Sequence, residues 1–202
     1  MNHDPGSLPD GEVPAFETHF RVRFHEVDAL GHVNNAAYLN YLEQAAIDHA
    51  AFVGLDMHRL QELGGVFVAR RHEIVFLKST FAGDLLRVVT WLGEPRGARV
   101  DRQYLVFREL GRTTDVPVGG RPSTWSGVAA DDELVARATT EWVFANDQGQ
   151  PRRIPSEIVR IFGATVDEGT EANPSGACSL RRRSSDGLNA DRERLVNRHP
   201  KR

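Results

Sequence analysis

Apolar and polar residues alternate in a pattern that predicts one strand followed by one long helix. Residues 16–24 place every second side chain on one face, as a strand requires: Phe16, Thr18, Phe20, Val22 and Phe24. From residue 36 to residue 53 the apolar positions instead recur at helical spacing and cover about half of the circumference. These positions are Tyr38, Tyr41, Leu42, Ala45, Ala46, His49, Phe52 and Val53. Gly54 is the expected C-terminal stop of this helix.

Four further strands are predicted after the helix, at residues 66–77, 85–94, 99–109 and 133–146. These segments are rich in β-branched and aromatic residues, and Gly-Asp and Pro-Arg-Gly turns lie between them. A strand, a long helix and then four successive strands indicate an α+β fold with an antiparallel sheet. A short closing helix is expected at residues 154–162, with Pro155 in its first turn.

The remaining segments suggest one domain over residues 15–165 with irregular chain on either side. Residues 1–14 contain three prolines and predict a flexible leader, while residues 166–202 have little apolar content and predict a disordered tail. Residues 111–132 are rich in glycine and proline and are expected to form a long loop insertion. This loop is either a mobile surface loop or a substrate lid that uses Trp125.

Composition excludes several classes of function. The net charge is −3, because 28 Asp and Glu outnumber 25 Lys and Arg, so nucleic acid is not an expected partner. A single cysteine, Cys178, excludes an intramolecular disulfide and a cysteine-based metal cluster. There is neither a signal-peptide pattern nor an apolar run of about 18 residues, so we expect a cytoplasmic protein without a membrane span.

The segment between the first strand and the helix carries the candidate chemistry. It places the carboxylate of Asp28 on a loop just before the helix, where Asn34 or Asn35 is a natural N-cap. Unpaired backbone N–H groups and the helix dipole stabilise negative charge at such a position. A carboxylate that faces this helix end suits acyl transfer, although a loop aspartate also commonly binds nearby backbone N–H groups.

Residues 28–43 also resemble the signature of hotdog-fold acyl-CoA thioesterases of the 4-hydroxybenzoyl-CoA thioesterase type. They read Asp-Ala-Leu-Gly-His-Val-Asn-Asn-Ala-Ala-Tyr-Leu-Asn-Tyr-Leu-Glu. The resemblance extends over about residues 16–163 and is supported by residues 66–70, 81–86 and 134–138. It implies a sheet wrapped around one central helix, hydrolysis of an acyl-CoA without a metal or other cofactor, and a homodimer or homotetramer with a site shared between subunits.

The resemblance assigns candidate roles around this loop. Asp28 is the expected nucleophile or general base, and the backbone N–H near Asn35 is expected to polarise the thioester carbonyl. His32 is an alternative base or a structural hydrogen-bonding residue. Glu43 is the second candidate base, because another branch of hotdog enzymes uses a helix carboxylate.

Substrate contacts are expected from both ends of the site. Asn34 at the helix start is a candidate for substrate contact, and Tyr38 is expected either to pack in the core or to line the acyl pocket. Arg96 and Arg99 flank a turn at which the family often binds the phosphates of coenzyme A. The histidines lack zinc-type spacing and no glycine-rich phosphate loop is present, so neither a metal nor a nucleotide cofactor is expected.

Two other functions are compatible with the same fold. One is hydration or dehydration of an enoyl thioester, which relies on an Asp and a His at a spacing that Asp28 and His32 do not obviously reproduce. The other is a non-catalytic module that binds acyl thioesters. Acyl chain length, aromatic or aliphatic preference, and coenzyme A or carrier protein as the acyl carrier stay open at this level.

Overall fold

Six antiparallel strands form a single sheet. The structure, a computed structural model, describes residues 13–110, 120–125, 127–128 and 132–163. The strands are β1 (Val13–Arg21), β2 (Val66–Phe76), β3 (Leu85–Leu92), β4 (Arg99–Glu109), β5 (Arg121–Trp125) and β6 (Asp132–Ala145). Their order across the sheet is β2-β6-β4-β3-β1-β5, so β2 and β5 are the two edges.

Three α-helices accompany the sheet within these described ranges, and the longest is α1 (Asn35–Phe52). The six-residue α2 (Met57–Glu62) follows it, and α3 (Ser156–Gly163) comes after the last strand. The expected α+β class with an antiparallel sheet and one long helix is therefore confirmed. No helix in the described ranges is long and apolar enough to cross a membrane.

The inner face of the sheet packs on α1. Tyr41, Leu42 and Ala45 of the helix are buried against inward-facing strand residues such as Val88 and Val106. Each large side chain buried in this way contributes about 1.5–3 kcal/mol relative to an exposed one. The helical periodicity therefore predicts the buried face correctly up to His49, but Phe52 at the end of the face is 46% exposed.

A second cluster of buried residues surrounds the C-terminal end of α1. It joins Leu55, Leu60 and Ile158 to Val100 and Phe144 of the sheet. This cluster fixes α2 and α3 against the inner face of the sheet, away from the N-terminus of α1.

The structure corrects three expectations. Residues 121–125, expected within the loop insertion, form β5, and Trp125 is buried on the outer face of the sheet with its ring 5.7 Å from that of Phe107. Phe24 was expected on the buried strand face, but β1 ends at Arg21 and Phe24 lies 86% exposed in a 3-10 turn (Phe24–Glu26). Residues 13–14, expected in the leader, begin β1. The other leader residues, residues 164–165, the predicted tail at residues 166–202, and residues 111–119, 126 and 129–131 lie outside the described residues.

Candidate active site

The loop before α1 is a tight turn closed by its own backbone. Asp28 N–H donates to the carbonyl of His32 at 2.7 Å, and Gly31 N–H donates to the carbonyl of Asp28 at 3.0 Å. Gly31 has a φ of 80°, a left-handed conformation that favours glycine because it has no Cβ. The turn thereby holds Asp28 at a defined position ahead of the helix.

The carboxylate of Asp28 is fixed through one of its two oxygens. Oδ1 accepts the backbone N–H of Leu30 at 2.8 Å and that of His32 at 3.2 Å. Oδ2 has no hydrogen-bond partner among the described residues, and Asp28 is exposed. The local capping expected of a loop aspartate is therefore present, and it leaves the second oxygen open to a ligand.

The N-terminus of α1 presents an unpaired donor beside this turn. Asn34 is the N-cap, and its Oδ1 accepts the N–H of Ala36 at 2.9 Å. In the described part of the chain, the N–H of Asn35 has no acceptor, and its side chain is exposed. A first-turn N–H of this kind, at the positive end of an 18-residue helix, favours a nearby negative charge.

Asp28 and the start of α1 border the same cleft, which has a volume of about 260 Å³. Four of the candidate residues line it: Asp28, His32, Asn35 and Tyr38. The opposite wall is the end of β2 and the residues after it, from Phe76 to Thr80. Asn34 adjoins the cleft as the cap of α1.

The wall formed by residues 76–80 is joined to the start of α1 by hydrogen bonds. The hydroxyl of Tyr38 is 2.8 Å from that of Thr80, and the carbonyl of Thr80 accepts the N–H of Val33 at 2.8 Å. Burial raises the pKa of Tyr38, so its hydroxyl stays protonated at neutral pH. Thr80 thus ties the start of α1 to the end of β2.

Glu26 anchors this turn and was also missed from the sequence. Its Oε2 accepts the hydroxyl of Tyr41 at 2.8 Å and the N–H of Arg23 at 2.6 Å, and its carbonyl accepts the N–H of Asn34 at 2.8 Å. Burial, and then the hydrogen bond to Glu26, raises the pKa of Tyr41. Glu26 therefore connects the chain after β1 to the turn and to α1. The sequence does not show this role, because it depends on the position of Tyr41 in the fold.

The ring of His32 does not contact Asp28. It packs edge-on against Phe81, with ring centroids 5.4 Å apart, and only the backbone N–H of His32 reaches the carboxylate. The structure therefore gives His32 a packing and capping role within one chain and shows no Asp–His pair.

Three candidate residues lie apart from the cleft within one chain. Glu43 is exposed on α1, about 12 Å along the helix axis from Asn35 at ~1.5 Å per residue. Arg96 and Arg99 lie at the other end of the sheet: Arg99 pairs with Val143 on β6, whereas Phe76 pairs with Ala136, about 23 Å away at ~3.3 Å per residue. Arg96 pairs with Asp101 at 2.5 Å, and Arg99 lies 3.9 Å from Glu141.

Comparison with known proteins shows that this chain is similar to thioesterases. The family model described as the thioesterase-like superfamily matches residues 22–162. The acyl-acyl carrier protein thioesterase ATL2 of the Arabidopsis thaliana chloroplast is 24% identical over 147 residues, which cover 73% of this chain and 68% of that protein. The chain thus spans about two thirds of the length of this curated relative.

Solved structures show the same architecture. A 4-hydroxybenzoyl-CoA thioesterase mutant in complex with 4-hydroxybenzoyl-CoA superposes with a TM-score of 0.59 at 21% identity, covering 73% of this chain and 98% of that chain. A thioesterase from Thermus thermophilus in complex with coenzyme A and zinc has a TM-score of 0.56 at 24% identity, covering 74% and 93%. These similarities establish the hotdog fold expected from residues 28–43.

Proposed function

The chain belongs to the thioesterase-like superfamily and is a thioester hydrolase of the hotdog fold, and from this premise we propose that it hydrolyses an acyl-CoA at the cleft beside Asp28. One observation supports this assignment most directly. Asp28 and Asn35, whose N–H is unpaired within the described residues, both line the same cleft, which supports a site where a carbonyl meets an attacking group and a hydrogen-bond donor together.

Asp28 supplies the attack on the thioester. As a nucleophile, its Oδ2 bonds to the carbonyl carbon, the C–S bond breaks, coenzyme A leaves as the thiolate, and water then hydrolyses the resulting anhydride. As a general base, Oδ2 instead takes a proton from water while the hydroxide attacks, and the thiolate takes up a proton as it leaves. Both routes use the oxygen that the turn leaves without a partner.

The N-terminus of α1 stabilises the negative charge that develops on the carbonyl oxygen. The donor is the backbone N–H of Asn35, and the helix dipole adds to its effect. Because a backbone donor is fixed by the helix, it needs no rearrangement during the reaction. The side chain of Asn34 keeps this end of the helix in place by capping it.

The acyl group and the carrier make different contacts in this proposal. Phe76, Leu77 and Tyr38 form an apolar wall that suits the acyl group, and Lys78 beside it is paired with Glu133 at 2.7 Å. Arg96 and Arg99 are too distant to act in the same subunit. We assign them to the nucleotide phosphates of substrate bound at the neighbouring subunit of a homo-oligomer, or to solvent if that subunit is absent.

The edge strand β2 is the surface through which we expect two subunits to pair. Its outer side has no neighbouring strand in the described part of the chain, and it ends at the catalytic cleft. Val68 and Phe76 on this strand are 52% and 42% exposed, and Phe81 nearby is 44% exposed. A second copy at this edge would pair the open backbone groups and cover these side chains.

Hydrolysis of a panel of acyl-CoAs, followed with a thiol reagent, tests this proposal. Asp28→Asn should keep the fold and lower kcat/KM at least about a hundredfold, because the amide is neither an effective base nor a nucleophile. Asp56→Asn is the matched control, since Asp56 is also a loop aspartate that caps a backbone N–H, at α2 and outside the cleft. The control should hydrolyse at the wild-type rate.

Other outcomes would redirect the assignment. If Asp28→Asn keeps more than a tenth of the wild-type rate, the attacking group is not Asp28, and Glu43→Gln becomes the decisive variant. If no acyl-CoA is cleaved but acyl-CoA binds, the chain is a binding module. Formation of a 3-hydroxyacyl thioester from an enoyl thioester would indicate a hydratase, which the lack of contact between the His32 ring and Asp28 disfavours.

A further inference from the structure

Arg102 carries a buried positive charge that no carboxylate neutralises among the described residues. It lies on the inner face of β4 beneath the C-terminal half of α1, and it is only 4% exposed. Nη1 contacts Nδ1 of His49 at 3.0 Å and donates to Oγ1 of Thr90 at 3.3 Å, while the ring of Phe162 lies 5.6 Å from Cζ. Within the described part of the chain, Arg102 makes no ion pair.

The two groups that contact the guanidinium add no negative charge. Burial, together with the charge of Arg102, lowers the pKa of His49 to about 3, so its imidazole is neutral and accepts the hydrogen bond. The N–H groups on Nε and Nη2 have no acceptor within the described ranges of the chain. A buried cation without a counter-charge is costly, so an anion that reached these two open N–H groups would be stabilised.

A small apolar cavity borders this guanidinium. Its volume is about 100 Å³, and Arg102 is its one charged lining residue among those described. Buried residues such as Leu60 and Val100, which are 7% and 2% exposed, form the deep end with Arg102. Ile47 and Met57, which are 53% and 63% exposed, form the mouth. The cavity therefore has a cationic floor, apolar walls and an apolar opening.

This cavity is separate from the catalytic cleft. Ala46 and Ala50 line it, and Ala46 lies about 16 Å along α1 from Asn35 at ~1.5 Å per residue. The two sites share no lining residue among those described. A ligand in the cavity would contact α1 near its C-terminal end, whereas the thioester reacts at the N-terminal end.

We propose that this cavity is a second binding site, which takes a small monocarboxylate with a short aliphatic chain. The carboxylate enters first and receives hydrogen bonds from Nε and Nη2 of Arg102, in the bidentate geometry that a guanidinium offers. The aliphatic chain fills the space between Leu60, Val100 and Phe162 and ends at Met57. At about 100 Å³ the cavity is smaller than the ~150 Å³ cavity that holds benzene, so it encloses the carboxylate and the first carbons, and the end of the chain lies at the mouth beside Ile47 and Met57.

Calorimetric titration of the full chain with sodium hexanoate tests the site without any turnover of substrate. Hexanoate should bind saturably. Hexanol has no carboxylate and inorganic phosphate has no aliphatic chain, so each should bind at least about tenfold more weakly at equal ionic strength. Arg102→Met should lower the affinity for hexanoate by at least about tenfold. Arg152→Met, which removes an exposed arginine outside the cavity, should bind as the wild type does.

A second variant covers the case in which Arg102→Met does not fold. Ala50→Trp keeps Arg102 but fills the cavity, and it should abolish hexanoate binding while circular dichroism shows an intact fold. Asp28→Asn should bind hexanoate normally, which separates this site from the catalytic cleft. Equal binding of hexanol, equal binding of phosphate, or unchanged binding by folded Arg102→Met or Ala50→Trp would overturn the proposal.

Discussion

His49 shows how a single buried residue couples the stability of the fold to pH. Its ring stacks on Phe16 with centroids 4.9 Å apart and meets the ring of Phe162 edge-on at 5.0 Å. Its pKa falls from 6.5 to about 3, first because burial penalises the charged form and then because Arg102 is adjacent. Below pH 6.5 the unfolded chain therefore binds a proton that the folded chain does not bind, so stability falls as the pH is lowered towards 3.

We expect the contribution of His49 to lower the free energy of unfolding by about 2 kcal/mol when the pH is lowered from about 6.5 to about 5. Urea denaturation at the two pH values measures the drop, and His49→Gln should lose most of it. His58→Gln is the control, because His58 has a side chain that is 81% exposed. If the unfolding free energies of wild type and His49→Gln depend equally on pH, the imidazole takes up its proton at about the same pH in the folded and the unfolded chain.

At the residue scale, sequence reasoning groups the candidate residues that are close together in the chain. Asp28, His32 and Asn35 lie within eight positions, and a turn followed by a helix start brings them to one cleft. Thr80 and Lys78 reach the same cleft from more than 40 positions away, and only the packing of β2 beside α1 places them there. Arg102 offers no local signal at all, because its burial depends on α1 and α3 lying over β4.

At the scale of elements, the predicted strands and helices are observed where a segment has enough strand-forming or helix-forming residues of its own. The expected strand at residues 99–109 has the bounds observed for β4, because Val100 and the apolar run from Tyr104 to Phe107 follow a Pro-Arg-Gly turn. β5 has only five residues, starts with Arg121 and Pro122, and is formed by pairing with β1. The sequence also did not predict α2, because its six residues are fewer than two helical turns and show no clear helical periodicity.

Trp125 on β5 should act on stability and not on substrate selection. It is 4% exposed and packs with Phe107, Leu105 and Val89 on the outer face of the sheet, opposite α1 and the cleft. Trp125→Ala should therefore cost about 3–5 kcal/mol of unfolding free energy, as expected for a buried aromatic residue. Phe24→Ala, at an 86% exposed position, is the control and should cost far less.

Kinetics with short and long acyl chains complete that test. Trp125→Ala should change kcat/KM for both by the same factor, because the residue does not face the substrate. A loss confined to long chains would restore the expectation that residues 111–132 act as a substrate lid.

At the scale of the whole molecule, the proposed pairing through β2 predicts an oligomer. Light scattering at micromolar concentration should give at least twice the chain mass of 22.5 kDa. Specific activity should fall on dilution below the dissociation constant, because the cleft of one subunit then loses its neighbour. A 22.5 kDa species with full activity would contradict the shared site.

The two edges of the sheet differ in chemistry, and this difference limits how far strand pairing can extend. β2 has 11 residues and none is proline, whereas β5 has five and includes Pro122, which has no N–H to offer a further strand. Two chains joined along β2 would therefore display β5 at both outer ends. Strand pairing between chains would then stop at the dimer, because the β5 edges do not readily accept another strand. This protects the assembled protein against growth into fibrils.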